Sequence, residues 1–264
     1  MTRYVLTRLE YDLCWDQLQL GTHPTVLTIN GHGHTTDERR ELLHGAWRSL
    51  AAKGLVNRTE LDGGLERVFR LLARPEREVD ARLRLDQHGP RVRALGAARG
   101  RFAAVAVLTK ENLTLETVDE STLASSVVGL LPPHQSPRSR SISIPSDLLD
   151  KAAAAAGESA ARMETVLRDG GMTWPDAQKV GSVLGNVVRM GQFGAAVRQA
   201  GNGAPGPRKR GQYVVSFYDT PEGRWQFTRR PSGDGRAWST LAPADHQRLT
   251  QALTELLAHT AAPR

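Results

Sequence analysis

Turn-forming residues recur at short intervals across residues 78–117, and the segments between them alternate in polarity. EVDARLRLD (78–86) sends Val79, Ala81, Leu83 and Leu85 one way and charged residues the other. That is the period of a half-buried strand. RVRALGA follows a QHGP turn, RFAAVAVL follows ARG, and LTLETV follows TKEN. Short strands separated by such turns predict an antiparallel meander.

The flanking sequence has a helical period. Before the meander come a short segment at 11–20, an extended piece at 25–29, and a helix over 36–53. A second helix carries Leu65, Val68, Phe69 and Leu72 at i, i+3, i+4, i+7 and ends at Pro75. After the meander Leu123, Val127, Leu130 and Leu131 mark a short amphipathic helix. PPHQSPRSRSISIPS (132–146) lacks a period and reads as an exposed linker. Helices follow at 147–156 and 159–168. A third is capped by Thr173 and Asp176 and carries a stripe of Val180, Val183, Leu184, Val187 and Val188. QYVVSFYDTPEGRWQFTRR then reads as a hairpin turning at 219–223, and AWSTL as a third strand. The closing helix places Pro243 in its first turn, with Leu249, Leu253, Leu256 and Leu257 on one face.

The halves run parallel. Leu123, Val127, Leu130 and Leu131 match Leu249, Leu253, Leu256 and Leu257 at constant offset, and the two hairpins follow helices in the same order. The expected class is α+β: a central antiparallel β-sheet flanked by two helical bundles, with a pseudo-twofold repeat. The expected organisation is an N-terminal half (1–131), a linker (132–146) and a C-terminal half (147–264), together one compact domain.

A chain of 264 residues is close to the upper size for a single core. Cys14 is the only cysteine, so no internal disulfide forms, as suits a reducing cytoplasm. No apolar run reaches the roughly twenty residues of a membrane helix, and the N-terminus lacks a signal-peptide core. The net charge of +7 comes mostly from arginine, as in a high-GC coding sequence. The densest basic run, PGPRKRG (205–211), lies in a Gly/Pro-rich stretch without aromatics, and reads as a flexible loop.

NGHGHTTDERRELLHG (30–45) holds His32, His34 and His44. Zinc needs donors at set spacings converging on one point, and no H-x-x-x-H or C-x-x-C pair occurs. Thr35 and Glu38 instead form a capping-box pattern at a helix start. No metal or cofactor is expected. No G-x-S-x-G or phosphate-loop motif occurs either. Glu111, Glu116, Asp119 and Glu120 flank turns and read as solvated surface. Nothing converges on a reaction, so a binding protein is expected and not an enzyme.

YDLCWDQLQLGTHPTVL, TTDERRELLHGAWRSLAAKGL, LLARPEREVDARL, RALGAARGRFAAVAV, GQFGAAVR, FYDTPEGRW and PADHQRLTQALTELL, in this order and spacing, resemble the EspG proteins of actinobacterial type VII (ESX) secretion systems. The resemblance spans nearly the whole chain. It implies a cytoplasmic, non-enzymatic chaperone with the pseudo-twofold α+β fold. Such a chaperone binds the hydrophobic tip of a helical PE–PPE client, or another ESX client, keeps it soluble and targets it for export. It implies a binding face on the sheet, the C-terminal bundle and the loop between the second and third strands. Here that loop is Asp86, Gln87, His88, Gly89 and Pro90, which is short. On the C-terminal hairpin Arg224, Trp225 and Arg229 are the candidate anchors, because arginine and aromatic side chains dominate interface energetics. Trp225 has core packing as its alternative role, and Trp238 reads as sheet-face packing. Neither nucleic acid nor membrane insertion is expected as a partner, and weak self-association stays open. Nucleic-acid binding, from pI alone, or small-molecule binding on the same fold are the rival functions.

Overall fold

Thr7 closes a strand and opens a helix. Its amide donates to Glu10 Oε2 at 2.7 Å, and the Glu10 amide donates to Thr7 Oγ1 at 3.1 Å. This capping box satisfies two donors that a helix start leaves without partners. The structure, a computed structural model, describes residues 2–32, 35–57, 60–157, 159–200, 205–232 and 235–262. The chain runs through β1 (Arg3–Thr7), α1 (Arg8–Gln17), a 3-10 turn (Thr25–Leu27), α2 (Thr36–Ala52), β2 (Val56–Asn57), β3 (Glu60–Leu61) and α3 (Gly63–Ala73). It continues through β4 (Arg77–Arg84), β5 (Val92–Arg99), β6 (Phe102–Leu108), β7 (Asn112–Asp119) and α4 (Leu123–Val128). The remainder is β8 (Ile142–Pro145), α5 (Ser146–Ala156), α6 (Ala160–Asp169), α7 (Trp174–Gly185), β9 (Arg189–Ala200), β10 (Pro205–Arg210), β11 (Val215–Thr220), β12 (Gly223–Pro231), β13 (Ala237–Pro243) and α8 (His246–Ala261). Antiparallel sheet and separate helices make the class α+β. The residues divide into two units: Met1–Arg82, Pro90–Val127 and Ala196–Lys209 in one, Leu83–Gly89, Val128–Ala195 and Arg210–Arg264 in the other.

In the first unit the strand order is β1-β7-β6-β5-β4. The expected meander is present, with Arg99 opposite Phe102 across the first tight turn and Leu108 opposite Leu113 across the next. Leu95 and Ala97 of β5, Ala104 and Ala106 of β6, and Leu113 and Leu115 of β7 line one face. Tyr11 and Trp15 of α1 and Leu65, Val68, Phe69 and Leu72 of α3 share their core. The rings of Tyr11 and Phe69 stack at 5.9 Å, and Trp15 meets Phe69 edge-on at 6.1 Å. Such pairs add about 0.5–1.5 kcal/mol beyond their buried area. The opposite face is covered too. A Cβ on Gly96 would lie 2.6 Å from Val127 Cγ2 and 3.1 Å from Leu123 Cδ1, so α4 rests directly on the β5 backbone. This explains why RFAAVAVL is apolar along its length and does not alternate.

Burial on both faces also revises β4. Val79, Ala81 and Leu83 are buried as expected, but so are Glu78 and Asp80. Glu78 pairs with Arg208 of β10, and Asp80 accepts from Arg82 at 2.8 Å. The basic run at 205–211 therefore forms a strand where a flexible loop was expected. β10 pairs with β9, and one of its arginines neutralises a buried carboxylate.

In the second unit the order is β9-β11-β12-β13-β8, each pair antiparallel. Trp225, Leu241, Ile142 and Ile144 share a core with Leu149 of α5, Leu167 of α6, and Ala177, Val180 and Val183 of α7. On the other face Phe193 and Phe217 meet at 6.0 Å, and α8 packs against β11.

Several expectations shift here. Ile142–Pro145, placed in a linker, is a strand pairing with β13. Thr25–Leu27 is a 3-10 turn, not extended. Val187 and Val188 lie beyond the end of α7. Pro243 ends β13, and α8 starts after Asp245, whose carboxylate accepts from the Arg248 amide at 2.8 Å. The matched leucines agree only in part. Leu123 and Val127 are buried like Leu249 and Leu253, but Leu131 is buried where Leu257 is not, because α4 stops at Val128.

Two measurements follow from the first unit. Gly96→Ala forces a methyl against the stiff Val127 side chain and is expected to lower unfolding free energy by about 1–3 kcal/mol in urea titrations. Adding Val127→Ala should recover part of that loss. Glu10 is the second case. Burial pushes its carboxyl up, but hydrogen bonds from Lys53, Ser49 and the Thr7 amide, with the Lys53 charge, outweigh burial and hold it below the ordinary glutamate value. A depressed folded value stabilises above the unfolded value and loses that contribution as pH falls through the folded one. Glu10→Gln should therefore be less stable than the parent at neutral pH, with the gap closing in acid below about pH 4.5, the ordinary value.

Candidate functional site

The loop between β4 and β5 is fixed by one side chain. Asp86 Oδ1 accepts from the His88 amide at 2.8 Å and the Gly89 amide at 2.9 Å. A Cβ at Gly89 would lie 2.7 Å from Asp86 Cβ, so only glycine lets the loop fold back this tightly. These two amides hold the Asp86 carboxyl below the usual range against a small opposing effect of burial, with His88 and Arg189 adding charge. Asp86, Gln87, His88 and Pro90 are exposed and Gly89 half-buried.

The hairpin β11–β12 places Asp219 directly opposite Arg224. Both side chains are fully buried. Arg224 Nε donates to Asp219 Oδ1 at 2.7 Å and Nη2 to Oδ2 at 2.9 Å, a bidentate fork. Nη2 also donates to Pro132 O at 2.9 Å. Nη1 lies 3.4 Å from His246 Nδ1. Arginine is only a donor, so Nδ1 accepts, and the ring proton on Nε2 is donated to Leu131 O at 3.1 Å. Arg189 Nη1 reaches Asp219 Oδ2 at 3.4 Å. The backbone closes the arrangement: the Arg224 amide donates to Gln135 O at 2.8 Å, and a Cβ at Gly223 would meet that oxygen at 2.8 Å. The segment after α4 is thus tied over the hairpin turn and is not a loose linker.

This placement corrects two candidates. Arg224 and Trp225 present no side chain to a partner, because both are fully buried. Arg224 is held inside by the carboxylate opposite it. Trp225 points to the other face of β12, into the core under α5–α7. Arg229 stands where an anchor can act. It is exposed on β12 and grips Asp150 of α5 through both terminal nitrogens. The structure links the Asp86 loop to the Asp219 end of the hairpin through Arg189, whose charge acts on Asp86 while it hydrogen-bonds Asp219.

One exposed side chain escaped the sequence reading: Trp174, at the first turn of α7, is 55% exposed. Trp238 of β13, read as sheet-face packing, is 37% exposed. Trp174 sits one turn before the buried stripe Ala177, Val180 and Val183, which was a legible sign that it overhangs the core. Trp238 lies opposite Arg230 in the β12–β13 pairing. Of the three histidines, His32 lies 3.5 Å from Asp12, His44 is exposed on α2, and His34 lies outside the described residues. Among the described residues no group of three His, Cys, Asp or Glu side chains is placed to hold a metal ion.

A sequence model of the EspG family, ESX-1_EspG, matches residues 7–255. The chain belongs to the EspG family. No curated protein sequence matches it. Among solved structures the chain is similar to the Mycobacterium tuberculosis type VII secretion system chaperone EspG5, solved in complex with a PE25-PPE41 dimer. The TM-score is 0.76 at 17% identity, over 98% of this chain and 96% of that one. The EspG fold thus carries the α+β arrangement expected from the sequence. Among its described residues no helix is long and apolar enough to cross a membrane.

In this EspG chain the interior and surface arginines of β12 should respond differently. Arg224→Ala leaves Asp219 buried without its main partner and is expected to cost roughly 3–5 kcal/mol in denaturant unfolding. Arg229→Ala removes an exposed ion pair and should cost under about 1 kcal/mol.

Proposed function

We propose that this protein is a cytoplasmic, non-enzymatic chaperone of a type VII secretion system. It binds the hydrophobic tip of a helical PE–PPE-like client, keeps it soluble and directs it to export. The observation that carries this reading is the EspG-family match over residues 7–255, supported by a fold shared with a chaperone that holds such a dimer. The polar set of the second unit supports a non-catalytic role. Asp219 and Arg224 are sealed from solvent and satisfied by each other, so they offer no group to a substrate.

The proposed contacts are Asp86, Gln87, His88, Gly89 and Pro90 with Arg229, to which we add Trp174 and Trp238 for their exposure. The loop is held in one shape by Asp86, so little order has to be imposed when it is covered. Exposed tryptophans bring large apolar area with few rotatable bonds, the usual make-up of an energetic anchor. Arginines around them favour acidic clients and faster association at low salt.

The test is co-purification with a helical heterodimer encoded beside this gene. Arg229→Glu, Trp174→Ala, and replacement of residues 86–90 by a Gly-Ser loop of equal length should each weaken capture about tenfold or more, with thermal stability kept. Unchanged capture in all three would remove this choice of contacts. Absence of any helical client from the native host would overturn the chaperone reading, and tight, steeply salt-dependent binding to random DNA would replace it.

A further inference from the structure

We infer that the first unit carries a separate recognition cleft for a carboxylate of an acidic peptide segment, lined by Arg67, Arg70, Arg99, Leu71 and Phe102. The cleft has a volume of about 360 Å³ and lies between the outward face of α3 and the β5–β6 turn. The α3 helix puts Leu65, Val68, Phe69 and Leu72 into the core, which leaves Glu66, Arg67 and Arg70 on its other side. Phe102 and Arg99, opposite each other at the turn, form the facing wall.

Arg67 distinguishes this cleft from ordinary charged surface. Its guanidinium carbon lies 4.1 Å from the centre of the Phe102 ring. The contact holds the guanidinium over the ring without using its N–H groups. Among the described residues Arg67 makes no hydrogen bond and no ion pair, whereas Arg77, Arg140, Arg208 and Arg229 each end on a carboxylate. Arg70 gives only its Nε to Glu66, at 2.7 Å, and Arg99 donates from Nη2 to the Arg74 carbonyl. The cleft therefore holds an unpaired guanidinium with further guanidinium groups beside it and an apolar wall of Phe102 and Leu71.

The lining favours a carboxylate carried next to an apolar side chain. A bidentate fork matches a carboxylate. The apolar wall suits an aliphatic side chain next to the acid. This surface is independent of the contacts proposed above, which lie outside α3 and the β5–β6 turn, so the two readings can fail separately.

The probe is the capped tetrapeptide Glu-Leu-Glu-Leu, with Gln-Leu-Gln-Leu and inorganic phosphate as comparisons. Titrations of the whole chain are followed by the amide signals of Gly63, Gly64 and Leu71 and the Nε–H signals of Arg67 and Arg99. The expected result is shifts at these signals, at least tenfold tighter binding of the Glu peptide than the Gln peptide, and weakening with added salt. Arg67→Gln should raise Kd at least fivefold with Tm unchanged, and Arg99→Gln should do so independently. Equal binding of the two peptides, or binding insensitive to both variants, would overturn the proposal. Tighter binding of phosphate than of the Glu peptide would do so as well, and would make the cleft a phosphate site.

Discussion

The second unit is organised by the buried pair Asp219–Arg224. Two opposite charges taken out of water are tolerable only when geometry and additional hydrogen bonds compensate their lost hydration. Here the compensation comes from several directions. Both carboxylate oxygens accept from the arginine, and the arginine also meets a carbonyl and a neutral histidine nitrogen. Each partner comes from a different part of the chain: the hairpin, the segment after α4, the start of α8 and, through Arg189, the start of β9. A pair that is costly when incomplete thus acts as a register pin for four segments. It fixes the β11–β12 register, which directs Arg224 to one face of β12 and Trp225 to the other.

The first unit solves the same problem with apolar matter. Small residues on the strands, Ala97, Ala104, Ala106 and Gly96, allow helices to approach both sides of the sheet. Aromatic rings from α1 and α3 fill the space on one side. Charges left inside are few and held: Glu10 by Lys53, Glu78 by Arg208. Rigid units of this kind suit a binding role, since their surface loops need little reordering when a partner arrives.

Much of this architecture could be read from the chain. The meander, α2, α3 and the β11–β12 hairpin carry strong periods and turn residues, and these local signals agree with the final packing. β9 and β10 were harder. Gly191, Gly194, Pro205, Gly206 and Pro207 interrupt any period, and the strands exist because of pairing partners distant in sequence. β8 is four residues inside a Pro/Ser/Arg-rich segment, too short to show a pattern. The site was less legible than the fold. The loop Asp86–Pro90 could be located, but a strand arginine such as Arg224 reads as exposed unless its partner is seen. The sign was present in the sequence: Thr220 and Gly223 flank a two-residue turn, so Asp219 and Arg224, the next pair out, face each other.

The central claim is that this chain covers the hydrophobic end of a helical secretion client. Hydrogen–deuterium exchange on the complex with its neighbouring PE–PPE-like heterodimer tests it most directly. The account predicts a stable complex, with exchange slowed at the amides of residues 86–90 and around Arg229 and Trp174, and slowed on the client at one helical tip. Failure to form a complex, or slowing confined to regions away from these residues, would contradict it.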